Sequence, residues 1–402
     1  MKNKNLPFLC FLVFLLTASL TGCSIFSSKK IEPKALESYK EEIALEKSWV
    51  FSSGYLKKDA GLNILPSSKI FDDELVIYGM KKKVFVIDLN SGETIKEVQF
   101  EEESLSAVGY RKENDERFFS YVSLNGDLVF FSEQSGKLWT IPLTGIVRTA
   151  PKIGDLGIIV REENNRIVSY ARDSGKLLWS VSKRGPPLIL HAQSDMEFIR
   201  GNSQDLDSVL SRNLAVNMAG GFLLFLNPKT GFSIWETRLA FPKGQNEVER
   251  IVDLIGTPKL DDEEICSSVY QTKVSCIDKE SGIIVWEKEE NVFSPAFFSF
   301  PYVVTVNSND EIKLHNREKD NLVWVNKKLK FRGVTSVAIW NEVVWAIDSF
   351  GFVHGLSLIS GSYISRYRVF GNNEGNASLV NSDHGLLVIN TSGKTVMLRK
   401  RE

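Results

Sequence analysis

Cysteine and histidine are the residue types with which this 402-residue chain could most readily bind a metal ion or attack a substrate. No two cysteines are adjacent, and no Gly-rich phosphate loop or Ser-His-Asp order rises above chance. The histidines occur one at a time, without the short spacings that zinc sites use; they are His191, His315, His354 and His384. The sequence therefore predicts no catalytic residue, no metal site and no cofactor.

Cys23 is the one cysteine whose sequence context indicates a specific modification. It follows Leu20-Thr21-Gly22, and these four residues resemble the lipobox that the lipoprotein signal peptidase cleaves. Two lysines precede the apolar run 6–20, which is too short for a stable membrane span. The pattern predicts a signal peptide over residues 1–22 and a lipidated Cys23 whose acyl chains anchor the mature protein to a membrane. The alternatives are an ordinary signal peptide and an uncleaved anchor.

The residue after Cys23 bears on where the lipoprotein is sorted. In Gram-negative lipoproteins an Asp at this position commonly retains the protein at the inner membrane, and here the position is Ser24. For a Gram-negative source, the sequence thus predicts the periplasmic face of the outer membrane. In that oxidising compartment Cys266 and Cys276 form either a disulfide or a pair of buried free thiols.

The charge balance excludes one class of partner. The chain has 49 basic and 50 acidic residues, which gives a formal net charge of −1. Such a chain lacks the basic surface that nucleic-acid binding requires, so no nucleic-acid partner is predicted.

Seven copies of a short turn motif recur along the chain. The plainest copies, residues 173–179, 227–235 and 278–286, contain Asp or Asn, a hydroxyl residue, Gly and then Trp. The Asx and Gly residues favour a tight turn, and the Trp is expected to pack against a neighbouring unit. Measured between the glycine positions, the steps are 44, 39, 56, 51, 39 and 40 residues, which is typical of a four-stranded propeller blade. The weaker copies are residues 88–92, 133–139, 317–324 and 358–361.

The two ends of the chain supply an eighth copy. Trp49 opens the folded part without a turn motif before it, and the last apolar segments, 385–390 and 394–400, have no Trp strand after them. Pairing of the terminal strands would close the ring and remove its open edges. The sequence predicts an all-β, eight-bladed β-propeller with quinoprotein-like repeats over residues 47–402. Residues 23–46 then form a lipidated tether, whose end could instead hold a short helix. An α-solenoid is disfavoured because 3.6-residue apolar periods are absent.

Two stretches of the chain resemble the BamB family, lipoprotein subunits of the β-barrel assembly machinery, and the resemblance covers nearly the whole mature chain. They are residues 247–258 (EVERIVDLIGTP) and 187–191 (PLILH), the second of which looks like the family's Pro-x-Leu-x-Leu-Arg loop. The resemblance implies a non-enzymatic scaffold that binds the POTRA domains of the central barrel component BamA, contacts other subunits of the machinery, and assists folding and insertion of outer-membrane β-barrel proteins.

The same resemblance carries candidate partner-binding residues onto this chain. His191 stands where the family often has Arg, and Ile255 where it often has a second Asp. The two longest repeat steps fall around these stretches and predict loop insertions at about 191–213 and 241–253. We expect Leu188, Leu190 and Asp253 to project together from neighbouring blades, although both leucines could be ordinary strand residues. The full set of candidates is Leu188, Leu190, His191, Asp253 and Ile255.

Two other functions suit a propeller of this kind. A periplasmic quinoprotein-type dehydrogenase shares the repeat, but such enzymes often carry a vicinal Cys-Cys pair over the quinone, and this chain has none. A cell-wall or sugar-binding propeller would be favoured by a central channel rich in aromatic residues. The predicted function remains that of a scaffold.

Overall fold

A computed structural model describes residues 32–54, 69–71, 73–78, 82–190, 194–200, 212–371 and 376–401. Within these ranges the chain forms thirty-two β-strands in eight four-stranded antiparallel sheets, and no α-helix. No helix in this part of the chain has the length and apolar character needed to cross a membrane.

The strands follow one another blade by blade. The first, β1 (Leu45–Ser52), belongs to the last blade. Blade 1 contains β2 (Lys69–Phe71), β3 (Glu74–Tyr78), β4 (Lys83–Asp88) and β5 (Thr94–Gln99). Blade 2 contains β6 (Gly109–Glu113), β7 (Glu116–Val122), β8 (Asp127–Ser132) and β9 (Gly136–Pro142). Blade 3 contains β10 (Lys152–Ile153), β11 (Gly157–Glu162), β12 (Arg166–Ala171) and β13 (Leu177–Ser182). Blade 4 contains β14 (Met196–Arg200), β15 (Arg212–Met218), β16 (Phe222–Leu226) and β17 (Ser233–Arg238).

The second half repeats the pattern. Blade 5 contains β18 (Leu254–Asp261), β19 (Glu264–Val269), β20 (Lys273–Asp278) and β21 (Ile284–Glu289). Blade 6 contains β22 (Phe297–Ser299), β23 (Tyr302–Val306), β24 (Ile312–Asn316) and β25 (Asn321–Asn326). Blade 7 contains β26 (Val334–Trp340), β27 (Val343–Asp348), β28 (Phe352–Ser357) and β29 (Tyr363–Arg368). Blade 8 contains β30 (Ala377–Ser382), β31 (Gly385–Asn390), β32 (Lys394–Lys400) and, as its outer strand, β1.

The predicted eight-bladed propeller, closed through both termini, is therefore confirmed. In blade 8 the strand order is β1-β32-β31-β30, and Leu45 pairs with Lys400 while Trp49 pairs with Met397. The second and third strands of a blade are buried on both faces, as in β27 and β31. The outer strands β13, β17 and β21 alternate exposed and partly buried residues along most of their length, because one of their faces meets solvent.

Six tryptophans join neighbouring blades, which confirms the packing role expected from the repeat. Each sits on an outer strand and donates its indole N–H into the turn of the next blade. The acceptors of five are backbone carbonyls, and that of the sixth is a carboxylate. The pairs are Trp49–Leu89 (3.1 Å), Trp139–Arg172 (2.8 Å), Trp179–Pro228 (3.0 Å), Trp235–Lys279 (2.9 Å), Trp324–Leu358 (3.0 Å) and Trp286–Asp320 Oδ1 (3.3 Å).

Two junctions between blades lack this tryptophan. Between blades 1 and 2, the strand register puts Lys96 in its place, and Lys96 Nζ lies 2.8 Å from Glu133 Oε1 of the blade 2 turn. Between blades 7 and 8 the corresponding residue is the buried Ser365. An apolar cluster that includes Leu45, Ile364 and Phe370 fills that junction instead.

The described end of the predicted tether packs against the propeller. Lys34 N donates to Lys330 O (2.9 Å), and Glu42 N donates to Ile364 O (2.8 Å). The Arg366 guanidinium binds Glu37 O at 3.1 Å and lies 4.7 Å from the ring centre of Tyr39. Residues 32–44 form no helix, and β1 begins at Leu45, within the range expected for the tether. Residues 34–44 of the predicted tether are therefore docked on blades 6 and 7.

Of the two alternatives for the remaining cysteines, the structure has the disulfide. Cys266 on β19 and Cys276 on β20 are directly opposite in the register, with their Cα atoms 4.0 Å apart, and their sulfurs are bonded. Because both residues are fully buried, the bond lies in the core of blade 5.

Candidate functional site

One face of the ring carries both the turns between second and third strands and the connections between blades. We call it the loop face, and its central part comprises residues 163–165, 183–190, 219–221, 239–253 and 270–272. The turn of blade 3 binds the turn of blade 4, because Asn165 Nδ2 donates to Ala219 O (2.9 Å) and Ala219 N donates to Asn165 Oδ1 (3.1 Å). These contacts fix neighbouring loops to one another.

Asp253 is the central polar residue of this face. It is fully buried, and it precedes the inner strand of blade 5. Its Oδ2 accepts a hydrogen bond from Leu190 N (2.7 Å), and its Oδ1 accepts one from Gly220 N (3.0 Å). Its carbonyl accepts from Tyr270 N (3.0 Å). A single residue thereby holds the connection between blades 3 and 4 and the turns of blades 4 and 5.

Burial dominates the electrostatics around Asp253. It raises the pKa of the Asp253 carboxyl, even though the two backbone N–H groups and the charge of Arg161 act in the opposite direction. Burial likewise lowers the pKa of Arg161, whose Nε donates to Asn217 O (3.0 Å). Asn217 continues the network into blade 5 through a hydrogen bond from its Nδ2 to Gly256 O (2.9 Å). The loop face is therefore held from beneath by buried polar groups.

The structure brings three of the five candidate residues together. Leu190 is half-buried and packs against a blade 5 cluster that contains Ile255. Leu188 is 39% exposed, Ile255 is buried, and His191 lies outside the described residues. The expectation that Asp253 projects with the two leucines is wrong, because its carboxylate turns inward to the backbone N–H groups that need an acceptor. Ile255 is likewise a core residue of its blade.

The predicted loop insertions are partly correct. Residues 239–253 form a connection without a strand, closed on itself by Glu249, which accepts from Gln245 N (2.9 Å) and Asn246 Nδ2 (2.8 Å). The insertion expected at 191–213 is wrong in part, since it contains β14, the inner strand of blade 4. The long step from Gly175 to Gly231 therefore contains a strand of blade 4 as well as loops.

Sequence reasoning missed two exposed aromatic residues on the loop face. Phe241 is 62% exposed and lies 4.4 Å from the Arg238 guanidinium, while Phe293 is 53% exposed with its ring centre 5.8 Å from that of Tyr270. For Phe241 the available signal was a Phe within a connection that the repeat spacing marks as long, whereas Phe293 lies in a step of ordinary length, 39 residues. Together with Leu188 these rings give the face an apolar component.

Two other places could hold a ligand. A cleft of about 770 Å³ lies between blades 2, 3 and 4. Several of its charged groups form ion pairs with one another, such as Arg111–Asp155 (2.5 Å) and Lys152–Glu197 (3.0 Å). In the part of the chain that is described, Glu264 lies within 4.8 Å of both sulfurs of the disulfide. Because those sulfurs are bonded to each other, they offer no thiolate to a metal ion.

Fold and site together define an eight-bladed β-propeller that presents partly apolar loops on one face, held by buried hydrogen bonds. The chain belongs to the family described as outer membrane protein assembly factor BamB, whose family model matches residues 81–326.

Relatives of that family match along most of the chain. This chain is 26% identical over 389 residues to the outer membrane protein assembly factor BamB of Bordetella pertussis. The match covers 95% of this chain and 94% of that one. The BamB of Burkholderia pseudomallei is 26% identical over 371 residues, or 92% of each chain. The crystal structure of BamB from Moraxella catarrhalis superposes with a TM-score of 0.71 at 18% identity over 89% of this chain and all of that one, which shows the shared fold.

Proposed function

We propose that this protein is a non-enzymatic scaffold of outer-membrane protein assembly that binds the POTRA domains of a BamA-like barrel protein. Membership of the family and the relatives cited above, both of them assembly factors, support the role in assembly. In the cleft Arg111 is paired with Asp155 and Lys152 with Glu197, and the two cysteines of blade 5 are bonded to each other.

The observation that carries the proposal is the hydrogen bond by which Asp253 fixes the connection between blades 3 and 4. Its carboxylate fixes Leu190 N, two residues from the exposed Leu188, to the turn of blade 4. A loop fixed in this way presents an apolar side chain with little entropy left to lose on binding. Such rigid apolar residues are the usual centres of protein interfaces.

The test is Leu188→Ala in the otherwise intact protein, with POTRA binding and melting temperature measured on the same samples. We expect binding to weaken by more than about 1 kcal/mol, or roughly fivefold, without a change in melting temperature. Leu177→Ala is the matched control, because Leu177 is an exposed leucine on the outer strand β13, away from the loop face. Leu190→Ala adds a packing loss, since Leu190 is half-buried against blade 5.

Two results would overturn the assignment of Leu188. One is POTRA binding by Leu188→Ala that equals binding by Leu177→Ala. The other is a large loss of stability, of the 2 to 5 kcal/mol that core leucines cost, which would make Leu188 a packing residue.

The proposal includes a lipid anchor at Cys23 on the periplasmic face of the outer membrane. Its support is the lipobox-like Leu20-Thr21-Gly22-Cys23 and the Ser24 that follows. Cys23→Ala should abolish incorporation of labelled palmitate and leave the protein unprocessed or mislocalised. Palmitate incorporation that persists in Cys23→Ala would show that Cys23 is not the site of the anchor.

A further inference from the structure

The connection between blades 6 and 7, residues 327–332, is unusually basic for this nearly neutral protein. We call it the basic loop; it carries Lys327, Lys328 and Lys330, whose side chains are 65%, 46% and 37% exposed. Lys34 of the docked segment lies beside it, because Lys34 N donates to Lys330 O. Two carboxylates, Glu37 and Glu311, are the acidic partners of these four lysines, so the cluster keeps a positive excess of two.

The basic loop also presents an aromatic ring from a rigid base. Phe331 is 37% exposed and has a φ of 58°, a conformation that is costly for a bulky side chain. Asp310 holds the end of the loop by accepting from Gly333 N (2.7 Å) and Val334 N (2.8 Å). Arg332 is tied to the buried Asp348 (2.8 Å). The lysines and the ring therefore stand on a fixed framework.

The route of the chain indicates what faces this loop. Lys34 is held there by two hydrogen bonds, one to Lys330 O and one from Arg332 Nη1 to Lys34 O (3.2 Å). Cys23 lies eleven residue steps before this point, a distance of at most about 36 Å at roughly 3.3 Å per residue. Lys29 and Lys30 fall within that stretch. An anchored Cys23 would thus keep the basic loop close to the membrane.

We propose that the basic loop and Lys34 form a surface that contacts the anionic phospholipid headgroups of the membrane that holds Cys23. Clustered lysines near a lipid anchor gain attraction from anionic lipids, and an exposed aromatic ring suits the headgroup region. This inference rests on the proposed lipidation. It goes beyond anchoring, because contact at one edge of the ring would fix how the propeller is oriented on the membrane.

The experiment uses the mature chain with Cys23→Ala, so that acyl chains do not dominate, and co-sedimentation with lipid vesicles. We expect binding to phosphatidylethanolamine vesicles that contain phosphatidylglycerol, none to phosphatidylcholine vesicles, and weakening as salt is raised. Lys327→Gln with Lys330→Gln should lower binding about 25-fold, at roughly fivefold for each lysine. Lys327→Glu with Lys330→Glu should lower it further.

The matched control is Lys176→Gln with Lys229→Gln, two exposed lysines on the turns of blades 3 and 4 that face away from the loop face. Equal vesicle binding by the control and loop variants, or no binding by the parent, would overturn the inference. Loss of POTRA binding in the loop variants without loss of vesicle binding would also overturn it, and would assign the loop to a protein partner. Failure of palmitate labelling at Cys23 would instead defeat the anchor while these vesicle results still stand.

Discussion

Two buried aspartates of the loop face, Asp253 and Asp310, hold surface loops in place without being exposed themselves. Asp253 and Asp310 each accept two backbone N–H groups from a different part of the chain, and burial raises the pKa of both. Their positions beneath different loops make them a natural pair for comparison. Asp253 supports the Leu188 region, whereas Asp310 supports the basic loop.

We predict that Asp253→Ala weakens POTRA binding through the position of the loop. The substitution leaves Leu190 N and Gly220 N without acceptors, at a cost of about 1 to 3 kcal/mol for a buried donor. Hydrogen exchange at the Leu190 amide should become faster. Asp310→Ala should cost similar stability yet leave POTRA binding intact. Unchanged exchange at Leu190 together with unchanged binding would contradict the positioning role.

Glu74 makes the stability of the ring depend on acid pH. Its burial raises the pKa, but hydrogen bonds from Arg117, Tyr110 and Lys112 outweigh this and lower the pKa of Glu74 to about 2. A carboxyl with a lowered pKa stabilises the fold above its unfolded value of about 4.3, and that stabilisation disappears as the pH falls towards 2. Between pH 5 and pH 2, the melting temperature of the parent should therefore fall more steeply than that of Glu74→Gln. Parallel curves would show that this carboxyl does not contribute.

The sequence predicted which connections the fold brings together at the candidate site, but not the direction of each side chain. The PLILH stretch and the repeat spacing indicated the two connections that meet at Asp253. The sequence could not show that Asp253 turns inward, because its partners, Leu190 N and Gly220 N, are backbone groups brought near by the fold and are 63 and 33 residues away. Residue type gives the charge of a side chain, and only packing gives its direction.

At the scale of elements, the glycine of a turn motif packs closely against the tryptophan ring of the preceding blade. A Cβ placed on Gly92 would lie 2.5 Å from the ring of Trp49, whereas one placed on Gly136 would meet nothing within 4 Å. The two glycines have almost the same φ, 76° and 77°. The difference follows from the junction between blades 1 and 2, where Lys96 stands in the place of the tryptophan.

Gly92→Ala should consequently destabilise the protein more than Gly136→Ala, although both pay the same penalty for positive φ. The added methyl group at position 92 forces the Trp49 ring away, and overpacking of this kind costs about 1 to 3 kcal/mol. Chemical denaturation of both variants measures the difference. Equal losses would mean that the ring of Trp49 yields without cost.

The blades could be predicted because their turns are local. Asp88 illustrates this, since its carboxylate accepts from Ser91 N (2.7 Å) only three residues away. The contacts that replace tryptophan at two junctions could not be predicted, because the ion pair of Lys96 with Glu133 joins separate repeats. The strand β14 was missed for a related reason, since it lies in a step whose length suggested a loop.

For the whole molecule, we expect closure through β1 to contribute strongly to stability. Deleting residues 48–51 should lower the melting temperature far more than deleting residues 25–32, because the first deletion removes paired residues of β1 and exposes an edge of blade 8. Thermal unfolding of the two truncated proteins, both with the intact C-terminus, makes the comparison. Equal melting temperatures would show that the ring does not depend on its N-terminal strand.

The same closure sets a condition on the timing of folding. Blades 1 to 7 are each contiguous in the chain and can form while the remainder is still being synthesised or exported. Blade 8 cannot, because β1 emerges first and its partner β32 is the last strand to follow. In a chain that emerges with its N-terminus first, Trp49 has no Met397 to pair with until β32 has followed. The ring therefore closes only after all of its other strands have emerged, however early the separate blades are made.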